Sequence, residues 1–297
     1  MSLKAWLGAT RPRTLVASLL PVVVGTMYAW RQTGEVSWTA FSLCLLFAGF
    51  MQVGANFAND YYDFRKGADG ANRIGPARAV ATGVIKPRLM KLCALIVLSM
   101  GFLIGLILLR ITGGGWLMLI IGVASVCSAL AYTSGPWPLA YVGLGDLFVI
   151  LFFGLIAVTV THFVQLSVAG VSWDQAPWIP AVAVGLVINN LLVVNNHRDM
   201  ETDAEASKRT LIVRFGRGFG VCLYFVAILF AMLIFPLLED GLFAAIFLLP
   251  IGLFFTHRLK RARTPRDYSI VFAGTAALAL LYGVAAMVSL VWRLNLG

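Results

Sequence analysis

Charged side chains are scarce in this sequence. Asp, Glu, Lys and Arg make up 12% of the 297 residues, whereas a soluble globular domain has about 25%. Hydrophobic residues make up 60%, and the mean hydropathy is +0.88. This shortage of charge excludes a soluble globular protein and predicts a chain that crosses a membrane several times.

Cysteine and histidine are also few and widely spaced. The four cysteines fall within hydrophobic stretches, without a Cys-x-x-Cys pair and without a histidine at the spacing of a zinc site. Their placement excludes a zinc centre and a disulfide framework, and we expect small apolar residues that pack between helices. They are Cys44, Cys93, Cys127 and Cys222.

Nine hydrophobic stretches are long enough to cross a bilayer, which takes about 20 apolar residues in a helix. We therefore predict an all-α polytopic membrane protein with nine transmembrane helices. We expect no cleavable signal peptide, because the N-terminus is short and amphipathic, with Trp6 and Leu7 beside Lys4. The predicted spans are residues 14–31, 38–59, 90–110, 115–134, 142–165, 177–196, 217–237, 241–257 and 268–292.

Basic residues are distributed unevenly among the predicted loops. All but three of the 23 Lys and Arg residues fall on one side if the N-terminus is cytoplasmic, and the exceptions are Arg31, Arg110 and Arg293. Because cytoplasmic loops are enriched in Lys and Arg, this asymmetry predicts a cytoplasmic N-terminus. The net charge of +10 is then a topology signal that faces anionic membrane lipid, and it requires no nucleic acid partner.

Acidic residues, although few, concentrate at the ends of two predicted spans. In each segment an Asn precedes an Asp by four residues, and a second Asp follows three or four residues later. Residues at these spacings share one face of a helix, and carboxylates at membrane helix ends usually mark function. The amide and carboxylate oxygens suit Mg²⁺ that carries a phosphate ligand. The candidates are Asn56, Asp60 and Asp63 in the first segment, and Asn195, Asp199 and Asp203 in the second.

Basic residues adjoin both acidic segments. Four carboxylates on facing helix ends repel one another unless cations offset the charge. Mg²⁺ and neighbouring Lys and Arg side chains would together bind a diphosphate whose hydrocarbon tail lies in the membrane. Departure of that diphosphate would give an allylic cation, which an electron-rich aromatic acceptor attacks. The candidate diphosphate partners are Lys66, Arg73, Arg78, Arg198, Lys208 and Arg209.

The two acidic segments also indicate an internal repeat. Each one ends a span, four spans apart, and each is followed by a basic loop and another span. We predict one transmembrane domain, residues 1–297, in which residues 14–134 and 142–257 form two four-helix units and a ninth helix follows. Repeats of this kind place binding sites at their interface, although a similarity this short also arises by chance.

Three stretches of the sequence resemble a known family. They are NFANDYYDFRKGADG (56–70) with NRIGP (72–76), YTSGPWPLAYVGLGDL (132–147) and NNHRDMETDAEASKRTLIVRFG (195–216). These stretches are similar to the motifs of the UbiA superfamily of membrane prenyltransferases, most of all to its 1,4-dihydroxy-2-naphthoate polyprenyltransferase branch. The resemblance covers about residues 5–290.

The resemblance implies nine helices around a central cavity in the bacterial cytoplasmic membrane, with the active-site loops on the cytoplasmic side. It implies transfer of a polyprenyl group from polyprenyl diphosphate to 1,4-dihydroxy-2-naphthoate, with loss of the carboxylate, to give demethylmenaquinone. It assigns the four Asp residues to Mg²⁺, Asn56 and Asn195 to their support, and Tyr132 and Asp146 to the acceptor side.

Other readings stay open at this point. The loop at 132–146 has no basic residue, which disfavours 4-hydroxybenzoate as the acceptor, but homogentisate and larger rings remain alternatives. An ion-coupled transporter is a further alternative. Transport sites lie near the bilayer midplane on broken helices, whereas these acids lie at helix ends beside basic loops. A prenyltransferase is therefore the favoured interpretation.

Overall fold

The computed structural model describes residues 3–68 and 75–294. Every regular element in these residues is helical, which confirms the predicted all-α class. The α-helices are α1 (Leu3–Ala9), α2 (Val16–Thr33), α3 (Trp38–Arg65), α4 (Pro87–Thr112), α5 (Gly115–Ala131), α6 (Gly145–Val149), α7 (Ala157–Val168), α8 (Trp178–Arg198), α9 (Met200–Glu205), α10 (Leu211–Leu229), α11 (Phe235–Leu238), α12 (Leu249–Arg261) and α13 (Pro265–Leu294). Segments with π geometry (Ile150–Ile156 and Phe230–Ile234) join α6 to α7 and α10 to α11, and 3₁₀ turns (Pro12–Thr14 and Asp240–Leu248) precede α2 and α12.

Within the described residues, seven helical stretches are long and apolar enough to cross a membrane. An eighth is a bent pair, in which Leu3–Thr14 meets α2 at 46°. Helix α5 has 17 residues and is shorter than these stretches. All nine predicted stretches are helical, but length and composition support seven or eight spans rather than nine.

Contacts between helix ends define one side of the bundle. The C-terminal ends of α3 and α8 and the N-terminal end of α10 lie there, together with the described residues that precede α4. We call this side the basic end, because the loops 66–86 and 199–210 carry many of the Lys and Arg residues. Both acidic segments therefore lie at the basic end.

A close helix crossing positions α8. A Cβ atom at Gly154 would lie 2.6 Å from the carbonyl oxygen of Ala181, and one at Gly185 would lie 2.8 Å from that of Ile150. Glycines at such crossings let two membrane helices touch through their backbones. The π segment that contributes Gly154 is thus packed directly on α8, the helix that leads into the second acidic segment.

Hydrophobic clusters among the described residues contribute side chains to the lining of a large cavity. One cluster joins α2, α8, α10, α12 and α13, a second joins α1, α3 and α4 to residues 79–85, and a third joins α2, α3 and α4 to α7. The cavity has a volume of about 1030 Å³. Its lining is apolar along the bundle, with Val22, Phe47, Leu108, Met118 and Val160, and it is polar where it reaches the acidic segments.

Candidate active site

The first acidic segment forms the last turns of α3. Asn56, Asp60 and Asp63 line the cavity, and each is less than 5% exposed. The amide of Asn56 donates to the carbonyl oxygen of Thr10 at 3.0 Å and to Oγ1 of Thr14 at 3.3 Å. The N-terminal segment therefore packs against the acidic face of α3 and closes one side of the cavity.

The second acidic segment is interrupted at Asp199. Helix α8 ends at Arg198, Asp199 is its C-cap, and Asp203 lies in the short helix α9. The amide of Asp203 nevertheless donates to the carbonyl oxygen of Asp199 at 2.7 Å, which keeps one helical turn between them. Asn195 and Asp199 line the cavity, whereas Asp203 is buried beside it. The helical spacing is thus kept in α3 and, through the hydrogen bonds from Asp199 to Asn195 and from Asp203 to Asp199, in the second segment, where Asp203 does not line the cavity.

Cations pair with these acids. The guanidinium of Arg198 binds both oxygens of Asp199 at 2.7 Å. Nη2 of Arg78 lies 3.5 Å from Oδ2 of Asp63. Nζ of Lys208 lies 3.3 Å from Oδ1 of Asp203, and all three cations line the cavity.

Lys208 interacts electrostatically with carboxylates of both acidic segments. Burial lowers the pKa of Lys208, but the carboxylates of Asp203, Asp63 and Asp199 outweigh burial and hold this pKa above its usual value. Burial raises the pKa of Asp203 to about 6; Lys208 opposes this shift and Asp199 adds to it. Carboxylates from both segments thus share one electrostatic environment that favours additional positive charge.

The donor set fits a hard divalent cation. Oδ2 of Asp203 is buried and has no hydrogen-bond partner among the residues that the structure describes. Those residues contain no group of three His, Cys, Asp or Glu side chains close enough to hold a metal by themselves. Mg²⁺ needs no such group, since one or two carboxylates with phosphate oxygens and water complete its shell. Asp60, Asp63, Asp199 and Asp203 would supply the carboxylates.

The remaining sequence candidates lie around this centre. Nζ of Lys66 donates to the carbonyl oxygen of Thr133 at 2.8 Å; Thr133 lines the cavity, whereas Lys66 does not. The side chain of Arg209 is exposed, and its backbone amide donates to the carbonyl oxygen of Tyr141 at 3.0 Å. Arg73 lies outside the described residues.

On the acceptor side, Tyr132 lines the cavity and Asp146 is buried behind it. Oδ1 of Asp146 accepts a hydrogen bond from Asn189 of α8 at 3.0 Å. Asp146 therefore contacts α8 rather than the main cavity, and Asn189 is a partner that the sequence motifs did not indicate.

Arg11 is a cavity residue that the sequence analysis treated only as a topology signal. Its backbone is left-handed, with φ 52°, an unusual conformation for a residue other than glycine. Its guanidinium lines the cavity, with Nη2 3.4 Å from the carbonyl oxygen of Asn56. Backbone strain of this kind is concentrated at functional sites; the sequence signal was an Arg directly before Pro12.

The segment that follows residue 74 contacts both acidic segments. A Cβ atom at Gly75 would lie 2.8 Å from Nη2 of Arg198, so the backbone rests on the guanidinium that holds Asp199. Three residues later, Arg78 reaches Asp63. The segment thus ties the end of α3 to the end of α8 across the mouth of the cavity.

Comparison with known proteins gives relatives over most of the chain. The chain is 38% identical over 228 residues to the 1,4-dihydroxy-2-naphthoate octaprenyltransferase of Escherichia coli (strain K12), covering 74% of this chain and 72% of that protein. It is 35% identical over 291 residues to the enzyme of the same name from Mycobacterium tuberculosis, covering 96% of each.

The fold and the family agree with these relatives. A UbiA homolog from Archaeoglobus fulgidus bound to DMAPP and Mg²⁺ has a TM-score of 0.59 at 18% identity, covering 95% of this chain and 99% of that chain. At this level of identity, the structural similarity shows the fold alone. The model of the UbiA prenyltransferase family matches residues 18–281. With that match and relatives above 30% identity, the chain belongs to the UbiA prenyltransferase family.

Proposed function

We propose that this protein transfers a polyprenyl group from polyprenyl diphosphate to 1,4-dihydroxy-2-naphthoate, with loss of the carboxylate, to give demethylmenaquinol, the reduced form of demethylmenaquinone. The observation that carries the proposal is the meeting of two acidic segments and their cations at the polar end of one large apolar cavity. The relatives at 35% and 38% identity are named for this acceptor, which supports the choice of substrate.

The diphosphate binds at the basic end. Arg78, Arg198 and Lys208 face the cavity and are suited to donate to phosphate oxygens. When bound, Mg²⁺ supplies charge neutralisation for the departing diphosphate. Asp60 and Asp199, on opposite sides of the cavity mouth, would hold this Mg²⁺. The UbiA homolog with the same fold was solved with DMAPP and Mg²⁺ bound, which supports this assignment.

The apolar length of the cavity holds the prenyl chain and excludes water. Side chains such as Phe47, Leu108 and Met118 offer the chain no nucleophile. As the carbon–oxygen bond to the diphosphate breaks, its electron pair leaves with the diphosphate, and an allylic cation remains. Exclusion of water protects this cation until the acceptor attacks.

The acceptor ring lies toward Tyr132, between the diphosphate site and the loop that precedes α6. An electron pair of the ring forms the new carbon–carbon bond to the prenyl carbon. Loss of the carboxylate as carbon dioxide returns an electron pair to the ring, so the acceptor step needs no external base. Asp146, held by Asn189, supports this wall of the cavity.

We further propose that nine helices span the bacterial cytoplasmic membrane, with the N-terminus and the basic end on the cytoplasmic side. The location of the basic loops at one end supports this orientation. Helix α5, with 17 residues, then crosses near the lower length limit for a span. We also retain the proposal of one domain with two four-helix units, because each unit would contribute one acidic segment.

The test is an assay of the purified protein with farnesyl diphosphate, Mg²⁺ and 1,4-dihydroxy-2-naphthoate, in parallel with 4-hydroxybenzoate and homogentisate, with products identified by mass. We expect a prenylated, decarboxylated naphthoquinol in the first reaction alone. EDTA should stop the reaction, and added Mg²⁺ should restore it. A product from another acceptor alone would overturn the assigned substrate and keep the diphosphate chemistry.

A further inference from the structure

The loop between α5 and α6, residues 132–144, is attached to the first acidic segment; we call it the bridging loop. Oγ1 of Thr133 donates to Oδ1 of Asn59 at 2.9 Å. The carbonyl oxygen of Thr133 accepts from Nζ of Lys66 at 2.8 Å. Both partners belong to the end of α3 or follow it directly, so one end of the bridging loop is docked on the helix that carries Asp60 and Asp63.

The other end of the bridging loop is attached to the chain that follows the second acidic segment. The amide of Arg209 donates to the carbonyl oxygen of Tyr141 at 3.0 Å, and Nη2 of Arg214 donates to that of Val142 at 2.9 Å. Gly143 makes this fit possible: its φ is +81°, and a Cβ there would lie 3.0 Å from the carbonyl oxygen of Arg209. The bridging loop therefore connects the two acidic segments physically.

Tyr141 lies at the centre of this connection. Its hydroxyl donates to Oδ1 of Asp63 at 2.9 Å, and the residue is 9% exposed. Nζ of Lys66 lies 4.3 Å from the centre of its ring, and Nζ of Lys208 lies 5.9 Å from it. Both distances are within the range of a cation–π interaction. One side chain thus contacts a carboxylate of the first segment and the lysines that follow each segment.

These contacts constrain the positions of the Asp63 carboxylate and the Lys208 ammonium at the cavity wall. Tyr141 itself is not among the residues that line the cavity, whereas Asp63 and Lys208 are. The hydrogen bond fixes one oxygen of Asp63 and leaves the other to Arg78. A buried hydrogen bond to a charged group fixes orientation more strongly than one between neutral groups.

We propose that Tyr141 is a positioning residue for the diphosphate: its hydroxyl orients Asp63, and its ring fixes the ammonium groups of Lys66 and Lys208. This role rests on the proposed function. It adds to that function a residue that contacts both of the segments proposed to bind the diphosphate. Preorganised charged groups bind a ligand more tightly, because they lose less conformational freedom when the ligand binds. Tyr141 therefore acts on affinity for the diphosphate, not on the acceptor.

The experiment measures binding of farnesyl diphosphate with Mg²⁺ by isothermal titration calorimetry, without any acceptor. Tyr141→Phe removes only the hydroxyl, and the Thr133, Arg209 and Arg214 anchors keep the bridging loop docked. We expect Kd to rise about tenfold, because the ligand must then order the Asp63 carboxylate that the hydroxyl holds in the wild type. Tyr141→Leu also removes the ring, and we expect a larger loss than for Tyr141→Phe.

Steady-state kinetics separate positioning from a general structural defect. For Tyr141→Phe, the KM for farnesyl diphosphate should rise about as much as Kd, while the KM for the acceptor stays at the wild-type value. Tyr282→Phe is the matched control: it removes a buried hydroxyl that has no hydrogen-bond partner among the described residues, in the α2–α13 core. It should leave Kd unchanged.

Several results would overturn the proposal. A Kd for Tyr141→Phe within about twofold of the wild type, less than 0.5 kcal/mol, would show that Asp63 needs no hydroxyl. Equal increases in both KM values would indicate a displaced bridging loop instead. A wild-type protein that binds farnesyl diphosphate but does not prenylate the naphthoate would refute the assigned acceptor and leave this test intact, whereas absence of binding would refute both.

Discussion

At the scale of single residues, the buried acids of the site differ in how many contacts they make with neighbouring cations. Asp199 has a bidentate partner in Arg198, whereas Asp203 has one lysine contact and one buried oxygen without a hydrogen bond in the described part of the chain. The carboxylates of both segments raise the pKa of Lys208. Carboxylates and cations from both segments therefore meet at the polar end of the cavity, where the carboxylates are suited to Mg²⁺ and the cations to a diphosphate.

Loss of a single acid should remove this function. Asp60→Asn and Asp199→Asn conserve volume and delete one charge, and we expect turnover to fall about 100-fold or more, as for loss of a preorganised electrostatic group. The measurement is kcat with saturating farnesyl diphosphate and Mg²⁺. Asp199→Asn should also lower the Tm, because Arg198 loses its partner inside the protein.

Asp174→Asn is the control for these variants, since Asp174 lies in an exposed loop between α7 and α8 and contacts Ser172. It should retain wild-type activity. Near-normal turnover by Asp60→Asn or Asp199→Asn would show that the diphosphate site lies elsewhere.

At the scale of elements, the segment 75–85 links the two acidic segments and is itself held by the core. Val80 and Ile85 are buried in the cluster with α1, α3 and α4. From this support Gly75 rests on Arg198 and Arg78 reaches Asp63. The segment therefore sets the distance between the two sides of the cavity mouth.

A methyl group at Gly75 should disturb this link. In Gly75→Ala the new Cβ would approach Nη2 of Arg198 to 2.8 Å, and that guanidinium is already bound to Asp199. We expect the guanidinium to shift and activity to fall roughly tenfold, in line with a misplacement of less than 1 Å at a catalytic centre. The check is kcat/KM for farnesyl diphosphate together with Tm.

Gly218→Ala provides the comparison, because a Cβ at Gly218 meets no atom within 4 Å. It should change neither quantity. Activity of Gly75→Ala equal to that of Gly218→Ala would mean that the contact with Arg198 has no role in turnover.

At the scale of the whole molecule, the fold gathers basic loops and acidic segments at one end and leaves the opposite end with little charge. At that opposite end, Arg31 pairs with Glu239 at 3.4 Å. In a membrane, this polarity predicts that the basic end faces the cytoplasm. Both substrates would then meet at that side.

The orientation can be measured by labelling single cysteines with a membrane-impermeant maleimide in a variant whose four native cysteines are replaced by alanine. Ser172→Cys, in the exposed loop before α8, should react in intact cells. Glu205→Cys, exposed in α9, should react only after the cells are opened. The reverse pattern would invert the proposed topology, and the two positions serve as controls for each other.

The sequence by itself predicted the helical class, the approximate position of each long helix, and the acids and cations that gather at one end, but not short helices such as α1 and α9. Hydrophobic stretches of this length have one stable form in a bilayer, the helix. The motif at 56–63 and the motif at 195–203 lie at helix ends because polar residues end apolar stretches. The sequence did not determine the number of spans, because α5 is close to the shortest helix that crosses a bilayer and the first span is a bent pair of helical stretches.

Only the tertiary structure decided which residues face one another. The hydrogen bond from Tyr141 to Asp63 joins residues 78 positions apart. The contact of Gly75 with Arg198 joins the segment before α4 to the last residue of α8, and the strained Arg11 contacts Asn56 across 45 positions. No local pattern encodes such pairs, because they depend on how distant helices and loops pack against one another. Packing therefore decided the geometry of the site, while residue types and spacing had already predicted a site for Mg²⁺ and a diphosphate.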